Sequence, residues 1–222
     1  MQVSSDAPPR RTAQVTEETR GLILAAAETE FAARGFASAR LEDIAERVGI
    51  TRAAVIYHFG DKEALYDAVL QASFEPLGET ILASVTEPGS SEKRLERVIE
   101  AWFNYASERP TLGRLFIREF ASAEGALRPE VERMTTPMFM TLLKTIEQGQ
   151  RDNEFRAANA VHVANILSGA VIWLTSGADL MGGDGPESRA ERLAQYREEL
   201  AGVARHLLGI RPQDEERESG HE

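Results

Sequence analysis

Apolar residues recur every three or four positions along most of the chain, the spacing of a helix with one buried face. From Thr19 to Arg34, Ile23, Ala27 and Phe31 share a face with Leu24 beside them. Thr19 is placed to cap this helix and Gly35 to end it, with Phe31 and Phe36 as core anchors. The next stretch, LEDIAERVGITRAAVIYHF from Leu41 to Phe59, holds two short periods around one glycine. Ile44, Ala45 and Val48 make the first stripe, Gly49 supplies the positive φ that stops a helix, and Thr51 caps a second helix that turns Ala54, Val55 and Phe59 inward. Two short helices meeting across a glycine predict a helix-turn-helix, with Ala45 small enough for a close crossing and Ile50 and Val55 filling the angle. The outward face carries Thr51, Arg52, Ala53, Tyr57 and His58. A hydroxyl, a guanidinium and two ring donors suit phosphate and base-edge contacts in a major groove. Taken alone, the pattern also fits an ordinary helical hairpin with a polar exterior.

After Phe59, Asp61 is placed to cap a helix with Ala64, Leu65, Ala68 and Val69 inward. Lys62 stands near the positive end of that helix dipole, a poor place for a cation unless an anion such as a DNA phosphate, or a local acid, lies opposite. The helix is expected to run to Glu75, where Pro76 redirects it. Residues 84–91, SVTEPGSS, read as a loop. Leu95, Val98, Ile99, Trp102 and Phe103 then mark a helix, Arg109-Pro110-Thr111 breaks the pattern, and Leu112, Leu115, Phe116 and Phe120 resume it. Pro129 is placed to start a helix through Met134, Met138, Leu142 and Ile146, with a bend at Pro137. Ala157 to Ser176 is strongly apolar. Residues 177–188, GADLMGGDGPES, lack the GxxxxGK spacing of a phosphate loop and read as a connector. The last helix, Ser188 to Leu208, carries the stripe Leu193, Tyr196, Leu200, Val203 and Leu207.

No alternating strand pattern occurs beyond residue 75, so the fold class expected is all-α with about nine helices. A three-helix helix-turn-helix domain at 19–67 is followed by a larger helical domain at 68–210. A flexible arm at 1–18, with Arg10 and Arg11 in reach of a minor groove, and a polar tail at 211–222 flank them.

Composition narrows the function. The chain has no cysteine, which excludes disulfides and thiolate chemistry. No apolar run approaches membrane-spanning length and no signal peptide opens the chain, so a soluble, cytoplasmic protein without a membrane partner is expected. The net charge of -11 argues against broad affinity for nucleic acid, and residues 1–75 carry 8 Lys and Arg against 12 Asp and Glu. Binding depends on which face holds the charge. Glu28, Glu30, Glu42 and Glu46 are expected to face away, leaving Arg10, Arg11, Arg20, Arg40, Arg52 and Lys62 as a local positive rim. The four histidines form no close metal set and no nucleophile stands in a Ser/His/Asp context, so neither an enzyme nor a cofactor is expected.

From Thr19 to Val69, ILAAAETEFAARGF followed by EDIAERVGITRAAVIYHFGDKEALYDAVL resembles the tetracycline-repressor family of bacterial one-component transcriptional regulators. The resemblance implies that Thr51 and Arg52 contact phosphate and base edges at the start of the recognition helix. It also places Tyr57 and His58 on the same face, Ala53 near a base methyl and Lys62 on a phosphate. One departure stands out: the family's usual Thr-Ser or Thr-Thr pair is Ala39-Arg40 here, which removes a cap and leaves Arg40 to replace a phosphate contact electrostatically, or Ser38 to cap in a shifted register.

The resemblance further implies a homodimer that presents two recognition helices to successive major grooves of palindromic operator DNA and releases them when a small apolar or amphipathic effector binds. Interface candidates are Ala160, Ala164 and Gly169, which permit close approach, and Tyr196, Leu200 and Leu207, which supply apolar area. Burial inside one protomer is the competing account for these residues. Candidates for an effector pocket are Trp102, Phe103, Tyr105, Phe116, Phe120 and Met134, together with Met138, Phe139, His162, Asn165 and Trp173. A helical small-molecule-binding or protein-interaction module without specific DNA binding is the alternative.

Overall fold

Capping residues and glycines set the limits of the helices. A computed structural model describes residues 10–123, 126–178 and 188–210, and among these residues nine helices and no strand form. The expected tail at 211–222 and most of the 177–188 connector lie outside the described residues, as do residues 1–9. The chain divides into two compact units, 1–72 and 73–222, a boundary about one turn beyond the expected 67.

In the first unit, α1 (Arg10–Ser38) begins well before Thr19, so that residues 10–18 are helical where an arm was expected. Nothing between Arg10 and Thr19 breaks a helix, and the Thr19 hydroxyl donates to the Val15 carbonyl at 2.8 Å instead of capping. Gly35, at φ 75° and ψ 167°, interrupts the helical backbone where a stop was expected. α2 (Leu41–Val48) buries Leu41, Ile44 and Ala45 and ends at Gly49 in the left-handed conformation. Its N-cap is Arg40, with no side-chain cap, so Ser38 does not replace the missing threonine. α3 (Arg52–Phe59) is capped by Thr51, whose hydroxyl accepts from Ala54 N–H at 3.2 Å, and it buries Val55 and Phe59. Ile23, Ala27, Phe31 and Ile44 are fully buried in the same unit, and the Tyr66 ring stands edge-on to Phe31 at 4.7 Å.

α4 (Lys62–Ser84) starts in the first unit and ends in the second. Asp61 caps it, accepting from Ala64 N–H at 2.8 Å. It continues through Pro76, contrary to the expected end at Glu75, because Leu77 and Ile81 keep its apolar face buried. Burying two such side chains outweighs one lost backbone hydrogen bond.

The second unit contains α5 (Ser91–Glu108), α6 (Pro110–Ser122), α7 (Pro129–Arg151), α8 (Ala160–Gly177) and α9 (Arg189–Leu208). Pro129 opens α7 where a start was expected, Pro110 opens α6 where only a break was, and α7 runs on through Pro137. Ser188 and Glu191 form a reciprocal capping box at α9, and Gly209 closes it in the left-handed conformation. α8 packs against α5, α6, α7 and α9. Its 18 residues are long and apolar enough by length and composition to cross a membrane, which corrects the expectation that no run approaches that length. Here they form the central helix of a bundle, with Val163, Ala164, Leu167 and Val171 buried.

One contact distant in sequence sets the start of α5. The Glu154 carboxylate accepts from the backbone N–H groups of Ser91 (2.6 Å) and Glu92 (3.3 Å). Partial burial first, then the nearby Glu96 and Glu154 carboxylates, push the Glu92 carboxyl above its ordinary value, while Arg205 pulls the other way. The folded state therefore holds this proton more tightly than the unfolded chain does. Stability from this group is lost as pH rises from the ordinary carboxylate range through the raised value, and the charged form is unfavourable at neutral pH. Glu92→Gln is expected to raise Tm at pH 7, with the gain over the parent disappearing as pH falls below about 4. Calorimetric scans of both proteins from about pH 3.5 to about pH 7.5 bracket that range and check this; a lower Tm for the variant at neutral pH would contradict it.

Candidate functional site

The outer face of α3 is open. Tyr57 is 83% exposed, Thr51, Arg52 and Ala53 are exposed beside it, and His58 is half-buried with its ring edge-on to Tyr57 at 5.4 Å. The helix that presents them is braced from behind by Arg20, which was expected only as part of a positive rim. Its guanidinium donates to the His58 carbonyl at 2.9 Å and lies 4.2 Å from the Phe59 ring centroid, placing a cation at the negative end of α3.

Two of the acids expected to face away do not. Glu30 is buried between Arg34 (2.7 Å) and Arg47 (3.5 Å), and Arg34 also reaches Asp43 at 3.5 Å. These ion pairs tie α1 to α2; the guanidiniums compensate a charge that could not be buried alone. Glu42 lies on the reading side, with one oxygen 3.3 Å from Arg52 and the other 3.8 Å from Arg40. The two arginines expected to replace the missing contact and to read bases are thus bridged by one carboxylate. Lys62 has also found a partner: its ammonium donates to the Ala37 carbonyl at 3.2 Å and sits 4.8 Å from the Phe36 ring centroid. The positive start of α4 and its lysine are met by the carbonyl end of α1, an opposite partial charge inside the protein.

In the second unit a cavity of about 790 Å³ lies between α6, α7 and α8. Seven expected residues line it: Trp102, Phe116, Phe120, Met138, Phe139, Asn165 and Trp173, and both tryptophans of the chain are among them. The Phe116 and Phe120 rings stack at 4.7 Å. The other four expected residues stand elsewhere. Phe103 and Met134 are buried packing residues, which is why their size misled. The Tyr105 hydroxyl donates to the Ser73 carbonyl at 3.1 Å, with Arg109 5.1 Å from its ring centroid. His162 is exposed in the first turn of α8, its backbone N–H donating to the Asn159 cap at 3.0 Å. Ile117, Ala121, Leu127, Thr135, Thr136, Val161 and Ile172 line the cavity without having been singled out, and Ser168 and Gly169 join them. They follow the expected aromatics at helical spacing, but small polar side chains carry no signal of their own.

Of the interface candidates, Ala164 and Leu200 are interior to the protomer, 0% and 3% exposed, which corrects their expected place at a partner surface. The α9 stripe is rotated from the expected one: Leu193, Leu200, Ala204 and Leu208 face inward, while Val203 is 45% exposed. Ala160, Tyr196 and Leu207 are partly exposed, and Gly169 is exposed and also lines the cavity. Exposed Ile166 on α8 adds apolar surface that the sequence pattern did not distinguish. Among the described residues no group of three His, Asp or Glu converges as a metal site.

Residues 23–69 match the model of the bacterial regulatory proteins of the tetR family, and residues 88–203 match that of the tetracyclin repressor-like C-terminal domain. The transcriptional regulator TtgR of Pseudomonas putida is 42% identical over 78 residues, 35% of this chain and 37% of that protein, so the match spans well under half of that relative. The transcriptional repressor BepR of Brucella suis biovar 1 is 28% identical over 177 residues, 74% of this chain and 85% of its own length. A solved regulatory protein of the tetR family from Rhodococcus RHA1 shares the fold, with a TM-score of 0.71 at 20% identity over 87% of this chain and 98% of that one. With both halves matched by their respective models, the chain belongs to the tetR family of bacterial helix-turn-helix transcriptional regulators.

Proposed function

We propose that this regulator is a repressor that binds palindromic operator DNA as a homodimer in the cytoplasm and releases it when a small apolar or amphipathic effector enters the α6–α8 cavity. The observation that carries the reading is the open face of α3, where Tyr57, Thr51, Arg52 and Ala53 are presented by a helix braced at its far end by Arg20. Residues 19–67 are assigned to DNA and 68–210 to effector and dimer. The relative named a repressor, matched over most of its length, supports the direction of control. Ile166 and Val203, with Tyr196, Leu207, Ala160 and Gly169, provide the surface we assign to a second copy. An effector that favours the DNA-free arrangement about 100-fold would shift the balance by about 2.7 kcal/mol.

Selection of operator-length DNA by the purified dimer is expected to enrich a palindrome whose half-sites lie one helical turn or a multiple apart. Failure to enrich any sequence at low salt, with the dimer confirmed, would favour a helical binding module without specific DNA recognition. That competing reading draws its support from Glu42, which holds Arg40 and Arg52 beside an acid.

Lys62 tests the positive rim. Lys62→Ala is expected to weaken binding across sequences and to reduce the slope of log affinity against log salt by about 1, the release of one counterion. It should also lower the Tm of the first unit through loss of the Ala37 contact. A lower Tm with an unchanged salt slope would assign Lys62 to the internal contact alone.

A further inference from the structure

Arg40, Arg52 and Lys62 line a shallow depression of about 290 Å³ beside α3, together with Glu42 and Asp61. The fold accounts for two of these charges: Lys62 donates to the Ala37 carbonyl, and Asp61 accepts from Ala64 N–H to start α4. It does not account for Glu42. The Glu42 side chain is 52% exposed and its partners Arg52 and Arg40 are 58% and 66% exposed, so these pairs contribute little to stability. Nor does the positive end of α2 depend on it, since Asp43 stands in the same first turn. A carboxylate at this place repels phosphates of any sequence.

The geometry of the two pairs shows what Glu42 supplies in return. Its oxygens lie nearest the Nε atoms, 3.3 Å away in Arg52 and 3.8 Å in Arg40. A guanidinium approached at Nε keeps both Nη groups, with four N–H donors, for other acceptors. Its plane also loses freedom to turn, so the fork that grips two acceptors on a guanine edge is set before DNA arrives. An unrestrained arginine turns instead to the nearest phosphate, which every sequence offers.

We propose that Glu42 determines specificity: it positions Arg52, the first residue of α3, to read one base edge, and it withholds both arginines from sequence-independent contact with phosphates. This rests on the reading of α3 as the helix that enters the groove, and deepens it by assigning a residue of α2 to base discrimination.

Glu42→Gln in the full-length dimer tests it, with fluorescence anisotropy on the selected operator and on random-sequence duplex of the same length. Affinity for random sequence is expected to rise by about 3- to 10-fold, and its slope of log affinity against log salt to steepen by about 1 for each arginine freed. The operator gains the same attraction but loses base contact, so the ratio of operator to random affinity falls by about 5-fold or more, the low end of one bidentate contact. Repeating the DNA selection should show the lost preference at a single base pair of each half-site, the same one lost in Arg52→Ala. In the Arg52→Ala background, Glu42→Gln should change that preference no further.

An equal rise in both affinities with every base preference kept would overturn the proposal and leave Glu42 a repulsive charge only. A loss spread over all positions, with a lowered Tm, would overturn it by showing that Glu42 acts through the fold. If the parent enriches no sequence, the reading of α3 falls and the proposal with it; if parent and Glu42→Gln select one sequence equally well, the proposal alone falls.

Discussion

Replacing Tyr57 by alanine is expected to weaken operator binding by about 10- to 100-fold while leaving thermal unfolding and dimerisation unchanged. A lost base or phosphate contact from a recognition helix is worth roughly 1–3 kcal/mol, which sets this range. The folded protein loses little, because Tyr57 is 83% exposed and its ring stands edge-on to the neighbouring His58 ring at the surface. α3 keeps Thr51 at one end, Arg20 at the other and Val55 and Phe59 beneath, none of which depends on the tyrosine. Alanine also has the higher helix propensity. Fluorescence anisotropy on the selected operator at two salt concentrations, beside a thermal melt, separates the effects. An unchanged affinity would take Tyr57 off the reading face; a fall in affinity matched by a fall in Tm would mean that it acts through the fold.

Gly149→Ala is expected to lower the Tm of the second unit by up to about 8 °C. A methyl built on Gly149 falls inside contact distance of the buried Phe155 ring. The ring has little freedom to withdraw, because the Gly149 carbonyl accepts from both Glu154 N–H (2.9 Å) and Phe155 N–H (3.0 Å) and so holds that turn against α7. Overpacking of this kind costs about 1–3 kcal/mol. Alanine returns up to about 1 kcal/mol through helix propensity, which leaves a net loss of up to about 2 kcal/mol. At about 2–4 °C per kcal/mol for a chain of this length, the net effect is easily measured. Phe155→Leu in the same background should recover part of the loss, since the two changes share one contact. A Gly149→Ala variant as stable as the parent would show that the turn yields.

Features that depend on neighbours in sequence could be read from the chain. Gly49 ends α2, Thr51 caps α3, Asp61 caps α4 and Pro110 opens α6, each because its own backbone geometry or side-chain oxygen serves the next few residues. Features set by distant partners could not. Arg20 and His58 are 38 positions apart, and nothing near either residue points to the other. Glu30 is an acid on a helix until α2 brings Arg47 to it. Pro76 looked like an end because its cost is local, whereas the burial of Leu77 and Ile81 that offsets it is tertiary. The cavity was partly legible for a similar reason. Large aromatics announce themselves, but Phe103 and Phe116 have the same local character, and only packing decides which faces a void. Ala164 and Leu200 were misplaced because an apolar stripe does not say whether its partner is another helix of the same protomer or of a second one.

Trp102 and Trp173, both in the cavity wall, are the chain's entire indole content. Their emission is consequently a private optical channel for one half of the molecule. Melting followed at that wavelength registers residues 73–222 and is blind to the helix-turn-helix unit, while far-ultraviolet dichroism sees both. Divergence between the two traces would reveal whether the halves unfold as one cooperative body, without label or truncation.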